Sequence, residues 1–467
     1  MTDYRLLIDG QMVEGDDSME VVNPATEEVL ARAPRASAAQ LDQAVAAAKL
    51  AFPAWAERPI TERRALILQI ADRLEADAEA FARLLTQEQG KPLTESTAEV
   101  AYTCAFIRHL ASYDLPVKVI EDNDARLVQQ YRRPLGVVGA IIPWNFPLLI
   151  VAFKLPLALL AGNTVVVKPS PTTPLTTLRL GAILADLLPA GVVNVITDQN
   201  DLGALLTAHK DVAKISFTGS TATGQKIMAS AASTIKRLTL ELGGNDAAIV
   251  LPGADPEKVA PGLFAGAFMN AGQVCLAIKR AYVHDSIYEE VCDRLAALAR
   301  EAVVGDGLQQ GTTIGPLQNR MQFDKVKGFL DQARRDGRVV AGGEVVEGRG
   351  YFIQPTIVAD VKDGDQIVDE EQFGPILPVI RFDDVESALA SANGLDLGLG
   401  GSVWGSDRDL NRHVAERMES GTVWINKHLE FGPNIPFGGV KQSGLGVEFA
   451  EEGLAEFTQI RVVNEAR

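Results

Sequence analysis

Val137-Val138-Gly139-Ala140-Ile141-Ile142 opens the part of the chain that decides the fold. A helical stretch, Ala152 to Leu160, separates it from a second β-rich run, Thr164-Val165-Val166-Val167. A further helix over Thr177 to Leu188 leads to a third strand at Val192 to Ile196, and a fourth lies at Ile215-Ser216-Phe217. Short branched runs without polar alternation read as strands buried on both faces. Alternating with helices, they imply a parallel sheet with crossover connections. A second series follows Gly244, with strands near Ala247–Val250, Arg280–Val283, Ile376–Arg381 and Val423–Ile425. Helices near Val259–Met269, Tyr288–Val303 and Arg320–Asp336 lie between them. The expected fold class is therefore α/β, with two parallel-sheet domains facing each other.

Upstream, the first 30 residues alternate as short strands do. Helices are expected over Ala38 to about Phe52, Thr61 to Gln89 and Thr94 to Tyr113. A polar strand-like segment runs from Val117 to Tyr131 and ends at Pro134. Pro134 to Phe153 is 20 residues without a charge, long enough to span a bilayer. Pro143, Asn145 and Pro147 interrupt it and Lys154 follows, so buried strands and turns explain it better.

Composition narrows the function. The 467 residues carry 44 Lys and Arg against 61 Asp and Glu, a formal charge of −17. Such a chain is a poor partner for nucleic acid or anionic lipid. The three cysteines, Cys104, Cys275 and Cys292, cannot build a disulfide framework, and with five histidines they argue against a metal site. Met1-Thr2-Asp3-Tyr4-Arg5 holds no apolar signal core. The expectation is a cytoplasmic protein without metal.

No G-x-G-x-x-G follows a strand; Gly305-Asp306-Gly307 with Gly311 is one residue too long. Lys214 to Phe217 does run into Thr218-Gly219-Ser220-Thr221-Ala222-Thr223-Gly224 and a helix. That arrangement can hold an anion on backbone amides, or can simply be a capped helix. Cys275, in Gly272-Gln273-Val274-Cys275, is a nucleophile or an inert buried thiol. Glu241, before Leu242-Gly243-Gly244, is a base facing a cleft or a solvated strand end. Asn145, between Pro143 and Pro147, is an oxyanion donor or a turn cap.

Taken together, the segments Pro143–Pro147, Lys168-Pro169-Ser170, Phe217–Ser220, Glu241–Gly244, Gly272–Cys275, Glu371-Gln372-Phe373-Gly374-Pro375 and Pro436-Phe437-Gly438-Gly439 are in one family's order. Along nearly its whole length the chain resembles the hydrolytic NAD(P)-dependent aldehyde dehydrogenases. The 34-residue step from Glu241 to Cys275 fits them too.

The resemblance implies a cofactor-binding domain at 1–115 and 135–243, a catalytic domain at 244–442, and a small β arm for oligomerisation at 116–134 and 443–467. It implies oxidation of an aldehyde to the acid through a thiohemiacetal and a thioester on Cys275. Asn145 and the Cys275 N–H would hold the oxyanion, and Glu241 would activate water. Cofactor contacts would come from Ile142, Pro143, Trp144, Lys168, Ser170, Gly203, Phe217, Gly219, Ser220, Thr223, Leu242, Glu371 and Phe373. Substrate would meet Leu148, Leu149, Phe153, Val274, Leu276 and Phe431, a lining suited to an apolar aliphatic or aromatic aldehyde. Lys427, His428 and Glu430 are expected near the entrance.

Some points stay open. Many NAD-preferring members carry Glu where this chain has Pro171, so NAD or NADP is expected, with a lean to NAD. Ala277 removes the paired cysteine of some semialdehyde members. Glu448 matches a position that some members use in proton relay. A CoA-acylating enzyme is disfavoured by Glu241, and a silent scaffold by the retention of Cys275, Glu241 and Asn145 together. Homodimer and homotetramer both remain.

Overall fold

The computed structural model describes residues 4–467; the reading of Met1–Asp3 as free of a signal core lies outside them. Two sheets dominate. The first has eight strands in the order Gln11–Val13, Leu6–Ile8, Val193–Val195, Thr164–Lys168, Val137–Ile141, Val212–Thr218, Arg237–Glu241, Gly444–Leu445. Its five central strands are parallel and the outer ones antiparallel. Val137–Ile141 and Thr164–Lys168 are buried at every residue, as expected for strands covered by helices on both faces. Chain order reverses on either side of Val137–Ile141, which makes its carboxyl end the switch point where open α/β sheets form their ligand crevice.

The second sheet has seven strands, ordered Arg338–Ala341, Thr356–Val361, Ile376–Phe382, Ile278–His284, Asp246–Val250, Gly400–Trp404, Thr422–Ile425. All but the first are parallel. Separate apolar clusters cover its two faces. The uncharged stretch becomes a strand, a turn and the helix Leu149–Ala161, which is buried on every side. It is a core helix, and among the described residues no helix is long and apolar enough to cross a membrane.

Three expectations change in detail. The helix read over Thr61 to Gln89 is two, Ile60–Ala76 and Ala78–Gln89, broken at Asp77. The segment before Pro134 is a hairpin, Lys118–Asp122 and Arg126–Pro134, turned by the Asn123 side chain, which accepts from the Ala125 and Arg126 amides. Thr458–Ala466 completes that three-stranded antiparallel sheet. Gly444–Leu445, counted with this arm in the sequence, instead pairs with Arg237–Glu241 at the edge of the first sheet.

Candidate active site

The carboxyl ends of the parallel strands of the first sheet carry most of the expected residues. Ile142–Asn145 leave Val137–Ile141, with the Ile142 amide bonded to the Lys168 carbonyl at 2.9 Å. Lys168 ends the neighbouring strand, and its ammonium pairs with the buried carboxylate of Asp198 at 2.6 Å. Gly203 lies against the Lys168 stem: a Cβ there would come 3.6 Å from Cε. The Ser170 hydroxyl meets that of Thr172 at 3.2 Å.

The next strand leads through Phe217 and Gly219 to Ser220, which caps the helix Thr221–Ala231 by accepting from the Thr223 amide. A Cβ at Gly219 would sit 2.5 Å from the Phe217 ring, so only glycine lets the backbone lie over that ring. Leu242 follows Glu241 and packs against Gly224. The Gly244 amide donates to Glu371 at 3.1 Å, and the Trp144 and Phe373 rings meet edge to face at 5.3 Å.

These groups adjoin the strand ends of the first sheet, and their chemistry fits an anionic dinucleotide. The 11-residue helix Thr221–Ala231 starts beside them, and the N-terminus of such a helix favours an anion. The Thr218 hydroxyl beside them is buried without a partner.

A cleft of about 340 Å³ brings Asn145, Glu241 and Cys275 together. Cys275 is delivered by an unusual turn. Asn270, Ala271 and Gly272 all take positive φ, at 50°, 54° and 74°. Such a run costs free energy that the surroundings must offset. The Asn270 amide donates to Glu95, and its side chain donates to the Asn145 carbonyl at 3.1 Å. The Gln273 amide nitrogen donates to the Asn270 carbonyl, and its oxygen accepts from the Gln318 amide. Gly272 comes so near the Gly374 carbonyl that a Cβ would lie 2.2 Å from it.

Asn145 is held from both ends. Its side-chain nitrogen donates to the Gln273 carbonyl at 3.0 Å, while its own carbonyl accepts from the buried Lys91 ammonium at 2.9 Å. Lys91 is neutralised by Glu99 at 2.5 Å, and Glu99 also accepts from the Leu148 and Leu149 amides that start the next helix.

Glu241 is 4% exposed, with one carboxylate oxygen unpartnered. Burial, with the like charge of Glu448 second, pushes it up to about 8; contact with the Cys275 thiol acts the other way. The Cys275 thiol is raised well above the usual range, by burial first and by Glu241 next. Glu448 is itself buried, accepts from the Lys154 ammonium, and keeps one oxygen unpartnered. Cys104 and Cys292 are buried elsewhere, their thiols pushed by desolvation to about 11 and about 12.

Leu149, Phe153, Val274, Leu276 and Phe431 lie in the cleft walls. Leu148 is the exception. It is fully buried and faces Ile67, Ile107 and Leu155 on the other side of its helix. Adjacent helical positions point about 100° apart, so Leu149 and Phe153 share a face that Leu148 does not.

Sequence reasoning missed Tyr102, Phe146, Ile150, Met269, Phe437 and Phe449 in the walls. Phe449 stacks on Phe437 and meets Phe153 edge-on at 4.4 Å, joining segments far apart in the chain. The entrance charges resolve simply. Lys427 and Glu430 pair at 2.8 Å on the outside. The His428 side chain is buried, bonds the Leu276 carbonyl at 2.7 Å, and is pushed down to about 3 by desolvation, so it is neutral.

A sequence model described as the aldehyde dehydrogenase family matches residues 12–463. Phenylacetaldehyde dehydrogenase of Pseudomonas fluorescens is 39% identical, over 98% of this chain and 95% of its own. A mitochondrial aldehyde dehydrogenase of Leishmania tarentolae is also 39% identical, over 98% of this chain and 94% of its own. The structure of an aldehyde dehydrogenase from Bacillus cereus in complex with NAD+ superposes with a TM-score of 0.97 at 37% identity, covering 100% of this chain and 97% of that one. Fold and sequence agree along nearly the whole length: the chain belongs to the aldehyde dehydrogenase family.

Proposed function

We propose that this NAD(P)-dependent aldehyde dehydrogenase oxidises an uncharged aliphatic or aromatic aldehyde to its carboxylic acid, with Cys275 as nucleophile. The observation that carries the proposal is the convergence of Cys275, Glu241 and Asn145 in one cleft whose other walls include five phenylalanines and three leucines beside Glu95, Glu99, Glu430 and Glu448. The Cys275 thiol gives up its proton to solvent, and the thiolate sulfur bonds the aldehyde carbon. The carbonyl oxygen takes the electron pair and is held by the Asn145 side-chain amide and the Cys275 N–H. Bound NAD(P) supplies the acceptor for the hydride that leaves this carbon, and Cys275 is left carrying a thioester. Glu241, having released its proton, takes one from water. The resulting hydroxide attacks the acyl carbon, the carbon–sulfur bond breaks, and the acid departs from a restored Cys275 thiolate. Burial sets the proton affinity of Glu241, with Glu448 raising it further and Lys154 lowering it.

Trp144, Lys168, Ser170, Ser220, Glu371 and Phe373 are assigned to the cofactor. NAD is favoured over NADP because Lys168 is already neutralised by the buried Asp198, which leaves that cation unable to balance a 2′-phosphate. The NAD+ complex of the Bacillus cereus relative agrees with this choice. The aromatic walls, and a relative named for phenylacetaldehyde, support a ring-bearing substrate.

The arm strands Lys118–Asp122 and Thr458–Ala466 expose Val119, Ile120, Ile460 and Val462. They are assigned to assembly with further copies of the chain, as a dimer or tetramer in the cytoplasm. A cofactor-binding domain at 1–115 and 135–243 and a catalytic domain at 244–442 are assigned, a division that the two separate sheets support, with Gly444–Leu445 joined to the first. Mixing the protein with NAD and a panel of neutral and charged aldehydes, while following absorbance at 340 nm, tests the reading. Reduction with ring-bearing or alkyl aldehydes is expected; reduction with charged semialdehydes alone would overturn the substrate assignment.

A further inference from the structure

Lys279 has no role in the chemistry above, yet its ammonium lies directly behind the nucleophile. It is 2% exposed and donates to the carbonyls of Val274 at 2.9 Å, Cys275 at 2.7 Å and Ala277 at 3.4 Å. Its nearest carboxylate oxygen, on Glu371, is 3.4 Å away and also accepts from the Gly244 amide. A buried cation is expensive unless it is well paired, and this one is directed mainly at three peptide carbonyls of a single turn. Its neighbour Arg280 points elsewhere along the strand, into the carbonyls of Asn245 and Ala392.

The Val274 carbonyl and the Cys275 N–H belong to one planar peptide group, on opposite sides of it. A positive charge on the carbonyl oxygen draws electron density away from the nitrogen. The N–H then becomes a stronger donor, as in any polarised chain of hydrogen bonds. We infer that Lys279 is a positioning residue that polarises the Val274–Cys275 peptide, strengthening the Cys275 N–H toward the substrate oxygen while tying the nucleophile turn to Glu371. The inference rests on the reading of Cys275 as nucleophile. The ammonium also draws the thiol toward its ionised form, against burial and Glu241.

Lys279→Gln separates charge from tethering, because the glutamine amide still donates two hydrogen bonds to the same carbonyls. Three readouts decide: kcat and KM for the aldehyde, the pH dependence of Cys275 alkylation by iodoacetamide in the cofactor-free protein, and the thermal midpoint. The expected result is a kcat lower on the order of tenfold, part of what loss of a whole oxyanion donor removes. KM should change little, the midpoint should stay near that of the parent, and alkylation should shift to higher pH. Lys279→Arg, which restores the charge, should recover part of the kcat. A folded Lys279→Gln with parental kcat and an unshifted alkylation profile would overturn the inference and leave Lys279 a mere tether. Cys275→Ala run alongside keeps the two readings apart. If it stays active, the nucleophile assignment has failed; if it is dead while Lys279→Gln is unaffected, only the role of Lys279 has failed.

Discussion

Raising the pH should speed release of the acid, and the size of the effect follows from where Glu241 sits. Its carboxyl is buried beside Glu448 and titrates at about 8 instead of 4.5. About one-tenth of molecules therefore hold the ionised base at pH 7 and about nine-tenths at pH 9, so a rate that needs it climbs about tenfold. A pre-steady-state trace at 340 nm separates the steps: the burst reports formation of the thioester, and the linear phase its hydrolysis. Glu448→Gln sharpens the test. It removes the like charge and leaves Lys154 a neutral acceptor, and both changes favour ionised Glu241. The rise in the linear phase should move to lower pH by about one unit, the size of shift one close charge typically produces. A linear phase that is flat from pH 7 to 9 beneath a full burst would refute the reasoning, as would a rise that moves to higher pH in Glu448→Gln.

Glu241→Gln should become progressively more stable than the parent as pH increases. The folded protein holds this proton up to about 8 while the unfolded chain releases it near 4.5. The parent therefore loses stability across that window, by at most about 1.4 kcal/mol per pH unit; parallel denaturation curves at pH 5 and pH 8 would contradict this. Asp198→Asn frees Lys168 from its 2.6 Å partner and should raise kcat/KM for NADP relative to NAD; an unchanged ratio counts against the pair as the discriminator. Phe431→Ala should lower kcat/KM for a phenyl-ring aldehyde about three- to tenfold, from the loss of one aromatic contact, and spare short alkyl aldehydes. Gly400→Ala forces a Cβ to 2.2 Å from an Asp246 oxygen and should lower stability by about 1–3 kcal/mol, read from the urea midpoint.

That last position also shows where the sequence was opaque. Val137–Ile141 and Thr164–Lys168 read plainly as strands because branched side chains fill every position. Gly400–Trp404 carries the same buried ladder, but it begins with two glycines. Gly400 is required by the approach of Asp246, while the end of the Met418 side chain rests over Gly401, and residues that leave space give no apolar signal. Asn145, Glu241 and Cys275 were legible as candidates because each sits within a short motif, two of them at or just after the ends of strands of the first sheet and Cys275 in the turn before Ile278–His284. The walls were not, since Tyr102, Phe437 and Phe449 meet only after distant segments fold together. Leu148 failed for a local reason: without the phase of its helix, its direction could not be told from that of Leu149.

The covalent step at Cys275 is the center of the account, and mass spectrometry tests it most directly. Glu241→Gln, mixed with NAD and a ring-bearing aldehyde and quenched in acid during the burst, should yield a peptide containing Cys275 that is heavier by the acyl group less one hydrogen. Reduced cofactor formed in that burst with every Cys275 peptide unmodified would contradict it.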